Sequence, residues 1–557
     1  MSRSLLKQGN NLVSVIPLAR LAIFYLSLVY ISYRASMVIS GVVSQGVTLG
    51  AIGRMVVFCL AVAMMLLIIE NIRFEHVKKL LTFPRLQKFN FLVFILASCL
   101  TAPSLINICQ GLSPLVLMIA IMLVELAIFS VYLTLSGKLF QALLIFIACL
   151  PFLRFFEWEA GRACQWDIGF GVVTPTIVYL VSIFVSYLMA NREREHLKLS
   201  GIQAATLSLF IFYVLSVFIS SNMSHSVELF LPQILFPLIF FYLMLKALQD
   251  VGQAKVLLYT LTIIGILYVF FGFYDLIGMT IPTPDKLLSL YGEMGFARQF
   301  KIIATILLPF TLAMALYETG RKRFCLVVSI FVELVLIVAT FSRIALLAAL
   351  FSFVPFLRNK WAFSAIFIII LLVTCFQGWL MDNVLVRFQD IVKAGSLEMF
   401  YWSPMRWWGI KGGFSIIRDY PLFGVGYGMW DDYYYKYGPQ MYMGKGMGYI
   451  RAAHNTFLDT AVQGGVFLLA ALIGFLCVLC KGALSLISSK CSKFNSYMGS
   501  AFLGLFLSII IISFAGNVFC FATENDLTFG IMFWSLVAIL AMLSTKDKRP
   551  EKGNDQC

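Results

Sequence analysis

HNTFLDTAVQGGVFLLAALIGFLCVLC, residues 454–480, is the stretch whose reading decides the fold. Its apolar length suffices to cross a bilayer, which takes about twenty residues for ~30 Å of hydrocarbon. Yet it opens on polar groups, with His454, Asn455 and Asp459 at its start and Arg451 just ahead. A span with a polar mouth implies a membrane helix that begins at a wet boundary. Upstream lies the one long polar segment, 382–450, which carries Arg387, Arg406 and Arg418 among many Trp and Tyr residues.

Further runs of the same kind fall at 12–32, 51–70, 90–109, 112–135, 137–153, 171–190, 204–220, 229–248, 256–278, 299–318, 324–341, 344–357, 362–381, 496–516 and 529–544. The expected fold is an all-α integral membrane protein with about 14–16 transmembrane helices and one long periplasmic loop carrying short helices. The runs at 137–153 and 344–357 are short enough to be tilted, re-entrant or broken. Composition agrees: 61% of the 557 residues are hydrophobic and 12% charged, against about 25% charged in soluble domains. The net charge of +15 is no nucleic-acid signal, because the basic residues sit in short clusters between apolar runs and record orientation. MSRSLLKQGN at the start is basic, lacks a small-residue cleavage site, and reads as the flank of a retained first span.

Lys and Arg cluster at 71–89, 191–203, 319–323, 358–360, 481–493 and 546–552. Threading sixteen spans from an inside N-terminus puts every cluster in the cytoplasm. The same threading puts 33–50, 154–170, 279–298, 382–450 and 517–528 outside, with His225 in a short outer loop. The chain divides into N-terminal helices 1–203, helices 204–381, a periplasmic loop 382–454, and C-terminal helices with a cytoplasmic tail, 455–557. Cys477 and Cys480 form a CxxC without a second pair, and they read as small packing residues rather than metal ligands.

The loop segment SPMRWWGIKGGFSII has the pattern of a short amphipathic helix that starts after Ser403 with Pro404 in its first turn. Asp419, Pro421 and the glycines of 424–428 then make a turn. Trp402, Trp407, Trp408, Tyr427, Trp430 and their neighbours admit two readings: an aromatic belt at the headgroup level, or a platform on which sugar rings stack. Arg343 follows Ser342 at a span boundary, where a guanidinium is costly unless paired or wet. Arginine suits a diphosphate, because its planar fork binds phosphate oxygens in pairs at any pH. Glu125 and Glu333 lie inside spans. They support the rival reading, a transporter or flippase of lipid-linked oligosaccharide, or else are structural contacts within the bundle.

Three pieces together resemble the bacterial O-antigen ligase and O-antigen polymerase superfamily, membrane glycosyltransferases of the GT-C type. They are TFSRIALLAAL (340–350), RWWGIKGGFSIIRDYPLFGVGYGMW (406–430) and HNTFLDTAVQGGVFLLA (454–470). The resemblance spans roughly 300–480 and leaves the first ~200 residues unmatched. It implies transfer of a glycan from an undecaprenyl-diphosphate-linked donor onto a sugar hydroxyl, at the periplasmic face of the bacterial inner membrane. No cofactor or metal is implied. His454 would be the base, and Arg343 and Arg406 would complete the catalytic set. Arg451, Asn455, Trp407, Trp408, Tyr427 and, more weakly, Arg298 would bind substrate. The acceptor would be lipid A–core for a ligase or a lipid-linked repeat unit for a polymerase. The number of spans leans towards polymerase.

Overall fold

The computed structural model describes residues 114–160, 166–167, 172–191, 200–278, 295–339, 343–357, 404–437, 455–488, 492–514 and 527–546. The helices are α1 (Pro114–Leu135), α2 (Leu139–Ala160), α3 (Pro175–Ala190), α4 (Gly201–Ile219), α5 (Met223–Phe230), α6 (Phe236–Ala247), α7 (Val251–Gly278), α8 (Gly295–Tyr317), α9 (Gly320–Ala339), α10 (Arg343–Ser352), α11 (Pro404–Asp419), α12 (Trp430–Tyr437), α13 (Thr456–Ser488), α14 (Lys493–Ser513) and α15 (Leu527–Lys546). The only strands among these residues are Trp166–Asp167 and Val172–Val173, a two-rung antiparallel ladder. The chain is an all-α integral membrane protein, and six described helical stretches are long and apolar enough to cross a bilayer.

Twelve of the sixteen predicted runs coincide with described helices, while 12–32, 51–70, 90–109 and 362–381 lie outside the described residues. The short run at 344–357 is a short helix, α10, followed by a 3-10 turn at Val354–Phe356 around Pro355. The run at 229–248 begins earlier than expected. Asn222 caps α5 through Oδ1 to the His225 amide, so His225 sits on a helix rather than in a loop. A π-turn at Leu231–Leu235, with Pro232 in it, joins α5 to α6. Pro232 lacks a backbone donor, and a wider turn accommodates that loss. A capping box fastens the start of α4, where Ser200 Oγ accepts from the Gln203 amide (3.3 Å) and Gln203 Oε1 accepts from the Ser200 amide (2.8 Å).

α15 is buried almost throughout, as befits a helix that is apolar all round. Its Trp534 packs against Phe241 of α6 and Phe475 of α13, with centroids 4.7 and 5.6 Å away. Lipid gives helices no hydrophobic drive to associate, so close approach and hydrogen bonds must do so. Ser508 Oγ of α14 accordingly donates to the Ala348 carbonyl of α10 at 2.9 Å. Thr311 Oγ1 of α8 donates to Glu333 Oε1 of α9 at 3.1 Å.

α14 also registers its neighbours end to end. Tyr317, last in α8, meets Phe494 near the start of α14 (5.3 Å between centroids), and Phe310 meets Phe502 (4.9 Å). Ala348, midway along α10, meets Ser508, late in α14, while Ser352 at the end of α10 lies against Gly504, one turn earlier in α14. Phe457, at the start of α13, meets Phe514 just past the end of α14 (5.4 Å). The N-terminal ends of α8, α10 and α13 therefore gather at one end of the bundle. At the opposite end lie Lys255, whose Nζ donates to Tyr317 Oη at 2.8 Å, and the starts of α9 and α14 with Arg321, Lys322, Arg323 and Lys493.

Candidate functional site

α11 begins at Pro404 and ends at Asp419, as its sequence pattern predicts. It lies over the first turns of α13. Ile416, Val425, Met429, Trp430, Leu458 and Val462 form a separate small apolar core there, with Tyr420, Tyr433 and Tyr437 packed at its edge. Beyond α11 the chain turns through 420–429 and docks on the bundle.

The docking is an exchange of backbone hydrogen bonds. α13 is broken at Gly465, whose backbone (φ 67, ψ −164) is non-helical and lies in a region essentially reserved for glycine. The break frees the Val462 and Gln463 carbonyls and the Val466 amide. The loop takes all three: Val425 N donates to Val462 O (2.9 Å), Gly426 N to Gln463 O (3.0 Å), and Val466 N to Pro421 O (2.9 Å). Unsatisfied backbone groups at membrane depth cost several kcal/mol each, so break and loop require one another. The fit is tight on both sides. A Cβ at Gly465 would overlap the Leu422 carbonyl, and one at Gly424, itself at φ +66, would overlap the Val462 carbonyl.

α4 and α5 complete the clasp. Buried Ser216 donates through Oγ to Gln463 O (2.7 Å), and its carbonyl accepts from the Tyr427 amide (3.2 Å). Gln463 Oε1 accepts from the Gly428 amide (3.3 Å). Ser226 Oγ donates to the Tyr427 carbonyl. Tyr427 Oη donates to Gln233 Oε1 at 2.6 Å, and burial pushes that phenol well above the ordinary tyrosine value, so it stays a neutral donor.

The predicted site residues distribute as follows. Arg298 lies in the first turn of α8, Arg343 opens α10, and Arg406, Trp407 and Trp408 lie in the first turns of α11. Asn455 caps α13, its Oδ1 accepting from the Leu458 amide at 3.1 Å, so that oxygen is committed to the helix. Arg451 and His454 lie outside the described residues, the latter immediately before Asn455. Asp459 is buried in the first turn of α13, where negative charge suits the helix dipole. Tyr427 corrects its own expectation: its ring is buried, edge-on to Tyr213 and Phe230 (centroids 5.7 and 6.3 Å). It anchors the loop and presents no face to a sugar. Trp430 is likewise a buried anchor.

Ser216, Ser226, Gln233 and Gln463 were not singled out by sequence reasoning. Only Gln463 left a signal, as a polar residue inside an apolar run immediately before two glycines. On the exposed side of the loop, Tyr437 Oη donates to Asp419 Oδ2 at 2.6 Å, and Arg418 Nε lies 3.4 Å from Asp419 Oδ1. The tyrosine hydrogen bond, then the arginine, lower the Asp419 carboxyl. In return the carboxylate pushes Tyr437 up to about 12.

The starts of α8, α10 and α13 lie at the same end of the bundle, with Arg298 in the first turn of α8 and Arg343 opening α10. No curated protein matches the chain. Residues 324–473, from α9 through the break in α13, match the family model described as O-antigen ligase. That match, over a little more than a quarter of the chain, is a similarity to the O-antigen ligase family in this segment and supports the resemblance to the O-antigen ligase and polymerase superfamily.

Proposed function

We propose that this protein transfers a glycan from undecaprenyl diphosphate onto an acceptor sugar hydroxyl at the periplasmic face of the bacterial inner membrane. The observation that supports this most is the O-antigen ligase match over 324–473. That segment includes the starts of α10, α11 and α13, the elements in which Arg343, Arg406 and Asn455 lie.

In the proposed reaction the acceptor oxygen attacks the anomeric carbon, forming the new glycosidic bond. The bond from that carbon to the diphosphate oxygen breaks, and its electron pair leaves with the polyprenyl diphosphate. His454 takes the hydroxyl proton, a role that an imidazole titrating near neutrality can fill. Arg343 and Arg406 hold the diphosphate oxygens and offset the charge that develops on them; with these cations no metal ion is required. A single displacement inverts the anomeric centre. Arg298, Arg451, Trp407, Trp408 and the Asn455 amide contact substrate. The segment 382–454 is the outer loop over the site, between helices 204–381 and 455–557, and 1–203 forms the N-terminal helices.

The acceptor we favour is a second lipid-linked repeat unit, which makes the protein a polymerase. Purified protein incubated with lipid-linked repeats alone then lengthens chains. Transfer that occurs only when lipid A–core is added makes it a ligase. Transfer in neither case removes the enzymatic reading. One observation favours the second reading, a carrier of lipid-linked oligosaccharide: Glu333 is buried in the bundle, and its Oε2 has no hydrogen-bond partner among the described residues.

A further inference from the structure

α4 and α13 each mark where the hydrocarbon begins. α4 has 19 residues without a charge and ends at Ile219, about 28 Å of helix against ~30 Å of bilayer core. On α13 the uncharged stretch between Asp459 and Lys481 runs from 460 to 480, about 30 Å at 1.5 Å per residue. The two helices lie antiparallel in a defined register. Ser216 Oγ donates to Gln463 O at 2.7 Å, and Phe212 stacks on Phe467 with centroids 6.3 Å apart. Ser216 comes three residues before Ile219, and Gln463 comes three residues after 460. Both helices therefore set the boundary at the same level.

Val466 lies six residues beyond 460, about 9 Å below that boundary. Its amide donates to the Pro421 carbonyl at 2.9 Å, whereas Gly426 N pairs with Gln463 O, nearer the boundary. From 421 to 426 the chain thus climbs along α13, and its deepest part carries Leu422 and Phe423. Both side chains are exposed, as are Val466 and Phe467, and the Phe423 ring meets that of Phe467 at 5.3 Å between centroids. On α4 the exposed residues Ile211, Leu215 and Phe218 flank Phe212 with the spacing of one helix face.

We propose that residues 421–423 form a re-entrant tip about 9 Å inside the bilayer, with Leu422 and Phe423 among the acyl chains of the leaflet at that end of α4. In the proposed orientation this is the outer leaflet. Irregular backbone is tolerated at such depth only where protein or water satisfies its polar groups. Here the Val425, Gly426 and Tyr427 amides and the Pro421 carbonyl all have partners on α13 or α4. The nearest charges in the chain, Arg418 and Asp419, pair with one another at 3.4 Å, which lowers the cost of holding them close to lipid. The bilayer is then a third partner in the clasp, besides α4 and α13.

The test places single para-fluorophenylalanine labels at Phe423, Phe467 and Phe218 of the full chain in lipid nanodiscs. Fluorine relaxation is read with dissolved oxygen, which concentrates in hydrocarbon, and separately with a water-soluble nickel chelate. Phe467 serves as the depth reference, and Phe218, next to the last residue of α4, as the boundary reference. Oxygen should act on Phe423 as strongly as on Phe467, and nickel should act less on both than on Phe218. A nickel effect at Phe423 that equals or exceeds the one at Phe218 places the tip in water or among headgroups and overturns the proposal. An oxygen effect at Phe423 clearly below that at Phe467 means that protein covers the tip, and it overturns the lipid contact.

Discussion

Replacing Gly465 with alanine probes the joint on which the loop and the broken helix depend. The wild-type backbone there (φ 67, ψ −164) costs a non-glycine residue roughly 1–3 kcal/mol in strain. The new Cβ would also overlap the Leu422 carbonyl, so the loop must withdraw. Withdrawal breaks the bonds from Val425 to Val462, Gly426 to Gln463 and Val466 to Pro421, at about 1 kcal/mol each. Together these come to about 4–6 kcal/mol, enough to open a clasp in a domain whose whole stability is of order 5–15 kcal/mol. Gly474→Ala, on the same helix with nothing within 4 Å of the new Cβ, is the control. It should be neutral or stabilising by up to about 1 kcal/mol. The assay is cleavage of the 404–437 region by added protease in reconstituted membranes, alongside glycan transfer. Gly465→Ala should be cut rapidly after Lys411 or Arg418 and should lose transfer, while Gly474→Ala behaves as wild type. Full protection and full activity in Gly465→Ala would refute the interlock.

Further outcomes are expected. Because Asp419 is lowered and Tyr437 raised to about 12 by their mutual contact, the tie between α11 and α12 persists from above the ordinary aspartate value to below about 10. It weakens as pH falls through the depressed Asp419 value, or rises through about 12. Asp419→Asn should bring the Tyr437 titration down towards 10 in carbon-13 tyrosine spectra; an unmoved titration contradicts the hydrogen bond as its cause. Glu333→Gln retains an acceptor for Thr311 and should keep most transfer in reconstituted membranes. Its complete loss, with the protein still inserted, would contradict a purely structural role for Glu333 in the bundle.

Much of the bundle was legible because apolar length is a one-dimensional property. Runs such as 496–516 and 529–544 correspond closely to α14 and α15. α11 was legible for the same local reason, with Pro404 at its start and Asp419 with Pro421 at its end. The break at Gly465 was not, since apolar residues continue on both sides of it. The partners that stabilise it, Ser216, Ser226 and Gln233, lie some 200 residues away in the chain, and no spacing rule links them. Tyr427 misled for a related reason. A tyrosine in a polar, glycine-rich loop resembles an exposed platform, until the loop's backbone exchange with α13 pulls that ring between Tyr213 and Phe230. The resemblance carried by 340–350, 406–430 and 454–470 agrees with the family match at 324–473.

The most direct measurement is transfer of a lipid-linked glycan by purified protein in lipid nanodiscs, with the wild type set beside His454→Ala and Arg406→Ala. We expect a new glycosidic product and released polyprenyl diphosphate from the wild type. Neither should form in the two variants, although all three proteins insert in equal amount. Wild-type rates in either variant would contradict the catalytic role of the residue replaced.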